Sequence, residues 1–526
     1  MCIILLVCHA SVPAKTAVDV AIIGGGPCGL ATALALRHSA PTAAIAVFER
    51  DPDLTPKGSS VVISPSGWAA LRCVDCTASK RLRQLAVPIE SVTILPLEEG
   101  GSAAAPGFAR SALRVLESLN RGLRACGLPR LGIVRANRWS DVRDALASRV
   151  QELCGDEALH LGCRLTSLAE APGSGGFALT FERCGGHGDA DGDGVATGAV
   201  TASVVLACDG TRSTVRSLSP RGYRNDDVLV DEGKSVWRGI APDVDLKGAC
   251  TVLRDTNRSD GALAITFPAG GGGGASWTVA APRTEGYSRS SEEARRRLLA
   301  SLPPQEEGCT YAPLAALRRC IDESPVIIEN RLKVPSATAR TNPIGSHPIN
   351  PIGSYLVCIL PFIMSRPHSG SLPPNPIGSR PTRSCFSVGP IGARPPTHPC
   401  RWRLPQVRTF GNGSPPFSSP INGIAYLGDS AHPVRPTGEG IALAFEDAWQ
   451  LGEIVKQSPD QLPNVDMLRA YESARLPYVR SVSEKVRSMA DAYYEAGEDG
   501  EDQREGAEPS RKKALPRLRP KPLWER

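Results

Sequence analysis

The stretch VDVAIIGGGPCGLATALALRHSAPTAAIAVFER, Val18 to Arg50, decides the fold. Val18 to Ile23 is a short apolar, β-branched run that reads as a fully buried strand. Gly24, Gly26 and Gly29 follow it at G-x-G-x-x-G spacing, and a helix begins there. The three glycines play different parts. Gly24 makes the tight turn, Gly26 lets backbone approach a pyrophosphate, and Gly29 lets helix pack on strand. The phosphates belong on the helix N-terminus, where free N–H groups and the helix dipole both favour an anion. A second apolar strand, Ala43 to Phe48, ends in Glu49, which falls 20 residues after Gly29, where the fingerprint expects the acid that takes the ribose hydroxyls. A hydrogen bond to such a charged group is worth roughly 1.5–3 kcal/mol. The same carboxylate repels a 2′-phosphate, which selects FAD or NAD over NADP as the resident nucleotide. A lone glycine triplet also occurs as a ligand-free turn; strand, glycines, helix, second strand and acid in that order select the dinucleotide.

With 526 residues the chain is long enough for two or three domains and a large core. Its net charge of +6 is mild, and no basic stripe with interleaved aromatics precedes the tail, so nucleic acid is not an expected partner. Sixteen cysteines are scattered singly apart from Cys73 and Cys76, and no second pair completes a zinc site, so no metal is expected. The start, MCIILLVCHA, is too short to span a bilayer and lacks a basic n-region. A soluble, cytoplasmic protein is the default expectation, with organelle targeting left open.

Further along, KGSSVVISPSGWAALR (57–72) reads as loop, strand and helix, and RWSDVRDALASRV (138–150) as a helix capped by Ser140 or Asp141. Leu165 to Glu182 reads as strands around a glycine loop, and 184–200 as a Gly/Asp-rich turn. Within that turn DADGDG (189–194) matches half of a calcium loop, but position twelve is Val200 instead of Glu, which makes it a solvated hairpin tip. A strand from Val204 to Cys208 ends in Asp209-Gly210, and a helix or turn begins around Ser213 to Arg216. KSVWRGI, GALAITFPA and SWTVAAP alternate as antiparallel strands, the last two joined by Gly270 to Gly274. A helix follows over Ser291 to Leu302, then a strand over Pro325 to Val334.

Residues 338–419 repeat NPIGS amid dense Pro, Ser and Arg with no hydrophobic period. This composition predicts a disordered insertion, either a linker or ligand segment or translated intron sequence. Order returns at Ile424 with a strand to Leu427, a Pro/Gly loop, a helix from about Gly440, and another near Leu476 to Tyr494 with Pro477 in its first turn. The charged tail from Glu495 reads as disordered.

Three motifs stand in order: GGGPCG at 24–29, CDGTRSTVR at 208–216 and YLGDSAHPVRPTGEG at 426–440. Together they resemble the FAD-dependent monooxygenases of the single-component aromatic-hydroxylase and squalene- or zeaxanthin-epoxidase type. The resemblance implies an α/β fold, in which a Rossmann-type FAD-binding domain with a parallel sheet is interleaved with a smaller β-sheet-rich substrate domain. The implied division is an N-terminal extension (1–15), a first FAD-binding part that includes some substrate-domain strands (16–220), a substrate domain (221–335), the insertion (336–419), a second FAD-binding part (420–494) and a tail (495–526).

The resemblance also implies roles. Gly24, Gly26, Pro27 and Gly29 hold the FAD pyrophosphate, and Glu49, with Arg50 beside it, holds the adenosine ribose. Asp209, Gly210 and Arg216 lie at the flavin cleft and serve both FAD and NAD(P)H. Gly428 and Asp429 meet the ribityl chain, and the amides around Gly438, Glu439 and Gly440 face the flavin pyrimidine edge, where they favour the charge of reduced flavin. The family's FAD-binding arginine on the second helix is replaced by Trp139, which leaves adjacent Arg138 as the substitute. The loop after His432 is one residue shorter than usual, so Pro436 is the offset counterpart of the proline beside the flavin. Pro436 and Arg216 are the candidates for a catalytic part; His432 reads as a loop-fixing hydrogen bonder. Trp237 and Arg238 resemble a strand placed near the substrate cavity.

The implied activity uses NADH or NADPH as transient co-substrate and O2 to hydroxylate or epoxidise a small apolar or aromatic substrate through a flavin hydroperoxide. An FAD-linked reductase on the same scaffold and a non-catalytic FAD-binding remnant are the alternatives. The W-x-W-x-I-P motif of flavin halogenases is absent.

Overall fold

The computed structural model describes residues 16–54, 59–99, 134–171, 175–184, 197–219, 229–255, 261–283, 286, 288, 290–304, 311–335, 423–433, 439–458 and 461–495. The apolar start, the aspartate-rich tip at 189–194, the insertion at 338–419, Pro436, Gly438 and the charged tail lie outside them.

The first sheet grows from β1 (Thr16–Ile23), which leads into α1 (Pro27–Ser39) and returns as β2 (Ile45–Phe48). β1 is flanked on both sides by parallel neighbours, β2 and β10 (Thr197–Ala207), which accounts for an apolar run with no polar alternation. The edges are β7 (Leu159–His160) on β2, and the antiparallel pair β8 (Cys163–Glu170) and β9 (Phe177–Arg183) beside β10, giving the order β7-β2-β1-β10-β9-β8. β9 pairs only with residues 197–202 of β10. The space it leaves beside residues 205–207 is taken by β16 (Ile424–Tyr426), which arrives from more than 200 residues away and runs parallel to β10.

One face of this sheet is covered by α1, α4 (Trp139–Cys154) and α8 (Gly440–Val455), with Leu30, Leu34, Val142, Leu146, Phe445 and Leu451 in a single apolar cluster. α2 (Pro65–Val74) and α3 (Cys76–Leu85) extend that layer. Ser64 caps α2 by accepting from the Gly67 N–H at 3.1 Å, and buried Asp75 caps α3 by accepting from Ala78 at 2.7 Å. A small sheet of β3 (Ser60–Ile63), β6 (Arg135–Arg138) and β4 (Val87–Pro88) leads from these helices to the second large sheet.

The second sheet has the order β15-β11-β14-β13-β12-β5, from β5 (Ser91–Pro96), β11 (Leu229–Ala241), β12 (Ala249–Arg254), β13 (Leu263–Pro268), β14 (Ala275–Pro282) and β15 (Ile327–Pro335). One face packs α6 (Ser291–Ser301) and α7 (Ala312–Asp322) over Trp237, Trp277, Leu298, Leu317 and Ile321. The other face, with Val236, Ile265 and Phe267, packs on Ala136 of β6. The short α5 (Thr214–Leu218) follows the second motif, and α9 (Val465–Glu495) ends the described chain.

Several sequence expectations need correction. The cap of α4 is Arg138 with no side-chain hydrogen bond, not Ser140 or Asp141. Residues 197–200, read as turn, are in β10. α9 starts at Val465, where Asn464 Oδ1 accepts from the amides of Asp466 and Met467, and it continues through Pro477. Proline in a helix interior costs about 3 kcal/mol; the contacts made by the turn before it offset that cost. β12 and α7 were not anticipated, although Leu314, Leu317 and Ile321 of α7 recur at helical spacing. Among the described residues no helix is long and apolar enough to cross a membrane.

Candidate functional site

Strand register brings the three motifs together. Ile23 pairs with Ala207, and Ala207 pairs with Tyr426, so β1, β10 and β16 end at one level. Their exits are tied by backbone bonds: Gly24 N–H to the Phe48 carbonyl at 2.8 Å, Cys208 N–H to Ile23 at 2.8 Å, and Leu427 N–H to Ala207 at 2.9 Å. In open parallel sheets ligands bind outside the carboxyl ends of the strands, and all three motifs leave the sheet there.

Gly24 and Gly29 make the tight turn and the close helix approach that their spacing predicts. Gly24 has φ +108°, and a Cβ on it would lie 2.5 Å from the Cys208 carbonyl oxygen. A Cβ on Gly29 would lie 2.0 Å from the Gly24 oxygen, so the helix can approach the turn only without one. At Gly26 a Cβ would meet nothing within 4 Å, so the space before the helix N-terminus is open. Gly26 caps α1 without a side chain and Pro27 follows at the first helical position, leaving the first-turn amides facing that space.

Glu49 stands at the end of β2. Its Oε2 accepts from the Gly25 N–H at 2.7 Å and its Oε1 from the Asp51 N–H at 2.9 Å, and each oxygen keeps a further lone pair. The sequence reading missed Gly25, where a Cβ would lie 2.8 Å from the Glu49 Cβ; the unbroken glycine triplet was the signal. Arg50 points outward, 70% exposed, with only a 3.7 Å contact to Asp51. The arginines of the second helix divide. Arg138 donates to the Gly273 carbonyl at 2.8 Å, on the turn of the second sheet, whereas buried Arg143 comes within 3.9 Å of Asp51 beside Glu49. Helical periodicity carried Arg143 as one more polar position, and only its approach to Asp51, just past β2, revealed it.

In the second motif Asp209 Oδ2 accepts from the amides of Thr214 at 2.6 Å and Val215 at 3.0 Å, capping α5. Its Oδ1 is buried and has no partner among the described residues. Burial pushes this carboxyl up, against the pull of those hydrogen bonds. Gly210 supplies a left-handed turn at φ +80°. Arg216 is buried, and its guanidinium donates to the carbonyls of Thr211 and Ser430. It therefore laces the second motif to the third.

The third motif turns at Gly428, φ +61°, where a Cβ would be 2.9 Å from Cys28 Sγ of the first motif. Asp429 follows, exposed in the open cleft, with Thr211 Oγ1 at 3.5 Å. Crowding on its protein side raises the Asp429 carboxyl, while His432 and Arg238 pull it down. The charge of Arg238 on β11 therefore reaches Asp429. Trp237, its neighbour, faces the opposite, helix-covered side of the sheet and is fully buried, so the pair expected to act together is split by strand alternation. Gly440 opens α8 behind Glu439, whose carboxyl is pushed up to about 7 by burial and by the charge of Glu446. The open cradle at Gly26, the orphaned Asp209 oxygen and the exposed Asp429 carboxylate fit the donor and acceptor demands of a flavin dinucleotide.

No protein-family model and no curated protein matches the chain. Solved structures do. HpxO from Klebsiella pneumoniae, an arginine variant complexed with FAD, is 16% identical, with 92% of this chain and 94% of that one covered and a TM-score of 0.54. CtdE in complex with FAD and a substrate is 14% identical over 92% and 91%, with a TM-score of 0.55. The 2,6-dihydroxypyridine-3-hydroxylase of Arthrobacter nicotinovorans is 17% identical over 94% and 98%, with a TM-score of 0.51. What is shared is the fold, and the proteins that share it include two solved with FAD, a putative FAD-containing monooxygenase and a hydroxylase.

Proposed function

We propose that the chain is an FAD-dependent monooxygenase that uses NAD(P)H and O2 to hydroxylate or epoxidise a small apolar or aromatic substrate. The observation that carries this reading is the meeting of three remote motifs at the ends of three adjacent parallel strands.

In this reading the first-turn amides of α1 and the open side of Gly26 take the pyrophosphate, and the spare lone pairs of Glu49 take the ribose hydroxyls. Buried Arg143, near the end of β2, is the cation at the adenosine end. The orphaned Asp209 oxygen and Asp429 accept hydroxyls of the ribityl chain, and Gly428 keeps that chain close to backbone. When bound, FAD would supply hydride acceptance and oxygen activation. The amino end of α8 at Gly440 favours negative charge at the pyrimidine edge. Arg216 holds the second and third motifs in register without itself touching substrate. NAD(P)H docks transiently, since the chain carries one dinucleotide fingerprint, and Arg238, whose charge reaches Asp429, orients an electron-rich substrate.

The test is purified protein with FAD, NADH or NADPH, a panel of phenols and polyenes, and 18O2. One 18O atom in product, with matching nicotinamide oxidation, supports the reading. Nicotinamide oxidation with no label in any product favours a reductase, and folded protein that stays colourless with FAD removes the flavin reading altogether.

A further inference from the structure

Behind the cleft lies a buried charge cluster with no part in the reading above. Asp447, on the second turn of α8, is fully buried. Its Oδ2 accepts from the Gly428 N–H at 2.7 Å and from His432 Nε2 at 2.6 Å, and its Oδ1 accepts from Arg475 Nε at 2.5 Å. Arg475 belongs to α9, and its Nη2 also donates to Glu446 at 2.8 Å and to the Leu443 carbonyl at 3.2 Å. The Tyr478 ring lies 4.8 Å from the guanidinium, and the Tyr471 hydroxyl donates to the Tyr426 carbonyl of β16 at 3.4 Å. One carboxylate thus joins three elements: the turn that presents Asp429, the helix opening at Gly440, and the last helix of the described chain.

Burial by itself would raise the Asp447 carboxyl. The charges of His432 and Arg475 and the hydrogen bonds from both overturn that effect and hold it down at about 2. Removing one partner of such a buried pair leaves an uncompensated charge, which is far costlier than the pair is stabilising. The turn 428–432 and the α9 turn at Arg475 are therefore held by the same carboxylate, and neither can leave without stranding it.

We infer that Arg475 and Asp447 are positioning residues for the cofactor turn, so that docking of α9 and retention of FAD are one coupled event. The inference rests on the FAD reading of the cleft. Arg475 reaches the turn through Asp447, which fixes the Gly428 amide and the His432 ring, and these set the direction of Asp429. FAD held at Asp429 in turn stiffens the turn, Asp447 and the α9 segment that Arg475 anchors. The coupling is reciprocal, as it must be for two equilibria that share a state.

The decisive measurement needs no mutation. Hydrogen exchange across residues 467–479 of the wild-type chain is followed with and without FAD. Exchange slowed at least 5-fold at saturation is expected, and unchanged exchange there, with FAD bound, overturns the inference. As a second arm, FAD affinity is read by flavin fluorescence. Arg475→Met is expected to weaken it at least 10-fold, and Arg475→Lys, which keeps the charge, less than 3-fold. Arg469→Ala, on an exposed face of the same helix, should leave it unchanged. Equal affinity in wild type and a folded Arg475→Met protein also overturns the coupling. A wild-type chain that fails to bind FAD sinks the function proposed above, and the coupling with it, which is a different result from bound FAD with an indifferent α9.

Discussion

Asp209 at the carboxyl end of the first sheet and Glu329 on the β11–β15 side of the second are buried carboxylates with opposite surroundings. In the second sheet Glu329, 4% exposed, accepts from Ser235 Oγ at 2.7 Å and from the Ser288 N–H at 3.3 Å, with Arg297 3.3 Å away. Burial would raise its carboxyl, but those hydrogen bonds and the Arg297 charge bring it down. Beside it Trp277 Nε1 donates to Ser324 Oγ at 2.7 Å. At the first sheet's end, by contrast, Asp209 keeps an orphaned oxygen and α1 opens onto space. Buried polar atoms cost free energy unless hydrogen-bonded. Trp237 Nε1 on β11 is orphaned too, so an unpartnered atom singles out Asp209 only because it stands at the strand ends where the three motifs meet.

Five substitutions and a pH profile can break or sharpen that contrast. The largest effect is expected from Gly29→Val, which drives a side chain into the Gly24 carbonyl: a loss of about 4 kcal/mol or more in denaturant unfolding, and no FAD binding. Glu329→Ala should cost about 3–5 kcal/mol because it strands Arg297 and two serines. FAD affinity per folded molecule should not change; an equal loss in affinity would erase the distinction between the two regions. Glu439 sharpens it by pH. Its folded carboxyl sits at about 7 against an ordinary value of 4.5, so the native state holds the proton more tightly than the unfolded chain. Stability should therefore fall as pH rises from 4.5 towards 7, by about 2 kcal/mol, and Glu439→Gln should flatten that slope in unfolding titrations.

Asp429→Asn should weaken FAD about 10-fold by fluorescence titration while moving unfolding stability by less than about 0.5 kcal/mol, since the carboxylate faces the open cleft. The smallest effect belongs to Arg50→Ala, which should change neither affinity nor stability by more than about 0.5 kcal/mol, because the side chain is 70% exposed and its ion pair is loose.

The parts of the site that were legible are those made by backbone. Gly24 and Gly29 leave no room for a side chain, and a strand before and a helix after them fix the turn they make. Side-chain partners were less legible, because they depend on which elements pack together. Arg138 was the arginine nearest the expected position, yet it reaches the Gly273 carbonyl; Arg143, one turn on, faces Asp51. Trp237 and Arg238 are adjacent in the chain and lie on opposite faces of β11. Pro477 looked like a helix start, and the anchoring of Arg475 just before it explains why the helix began earlier and ran on.

Local spacing alone was enough to specify a βαβ unit with a glycine-tight first turn, its terminal acid and the order of the three motifs, since turns, helix starts and strand ends follow from short-range sterics. Tertiary structure decided that β16 fills the gap β9 leaves beside β10, that this sets Asp429 next to Thr211, and that a carboxylate on α8 clasps an arginine from the last helix. Pairings across more than 200 residues are selected by what the whole core can bury, and no local period carries that information.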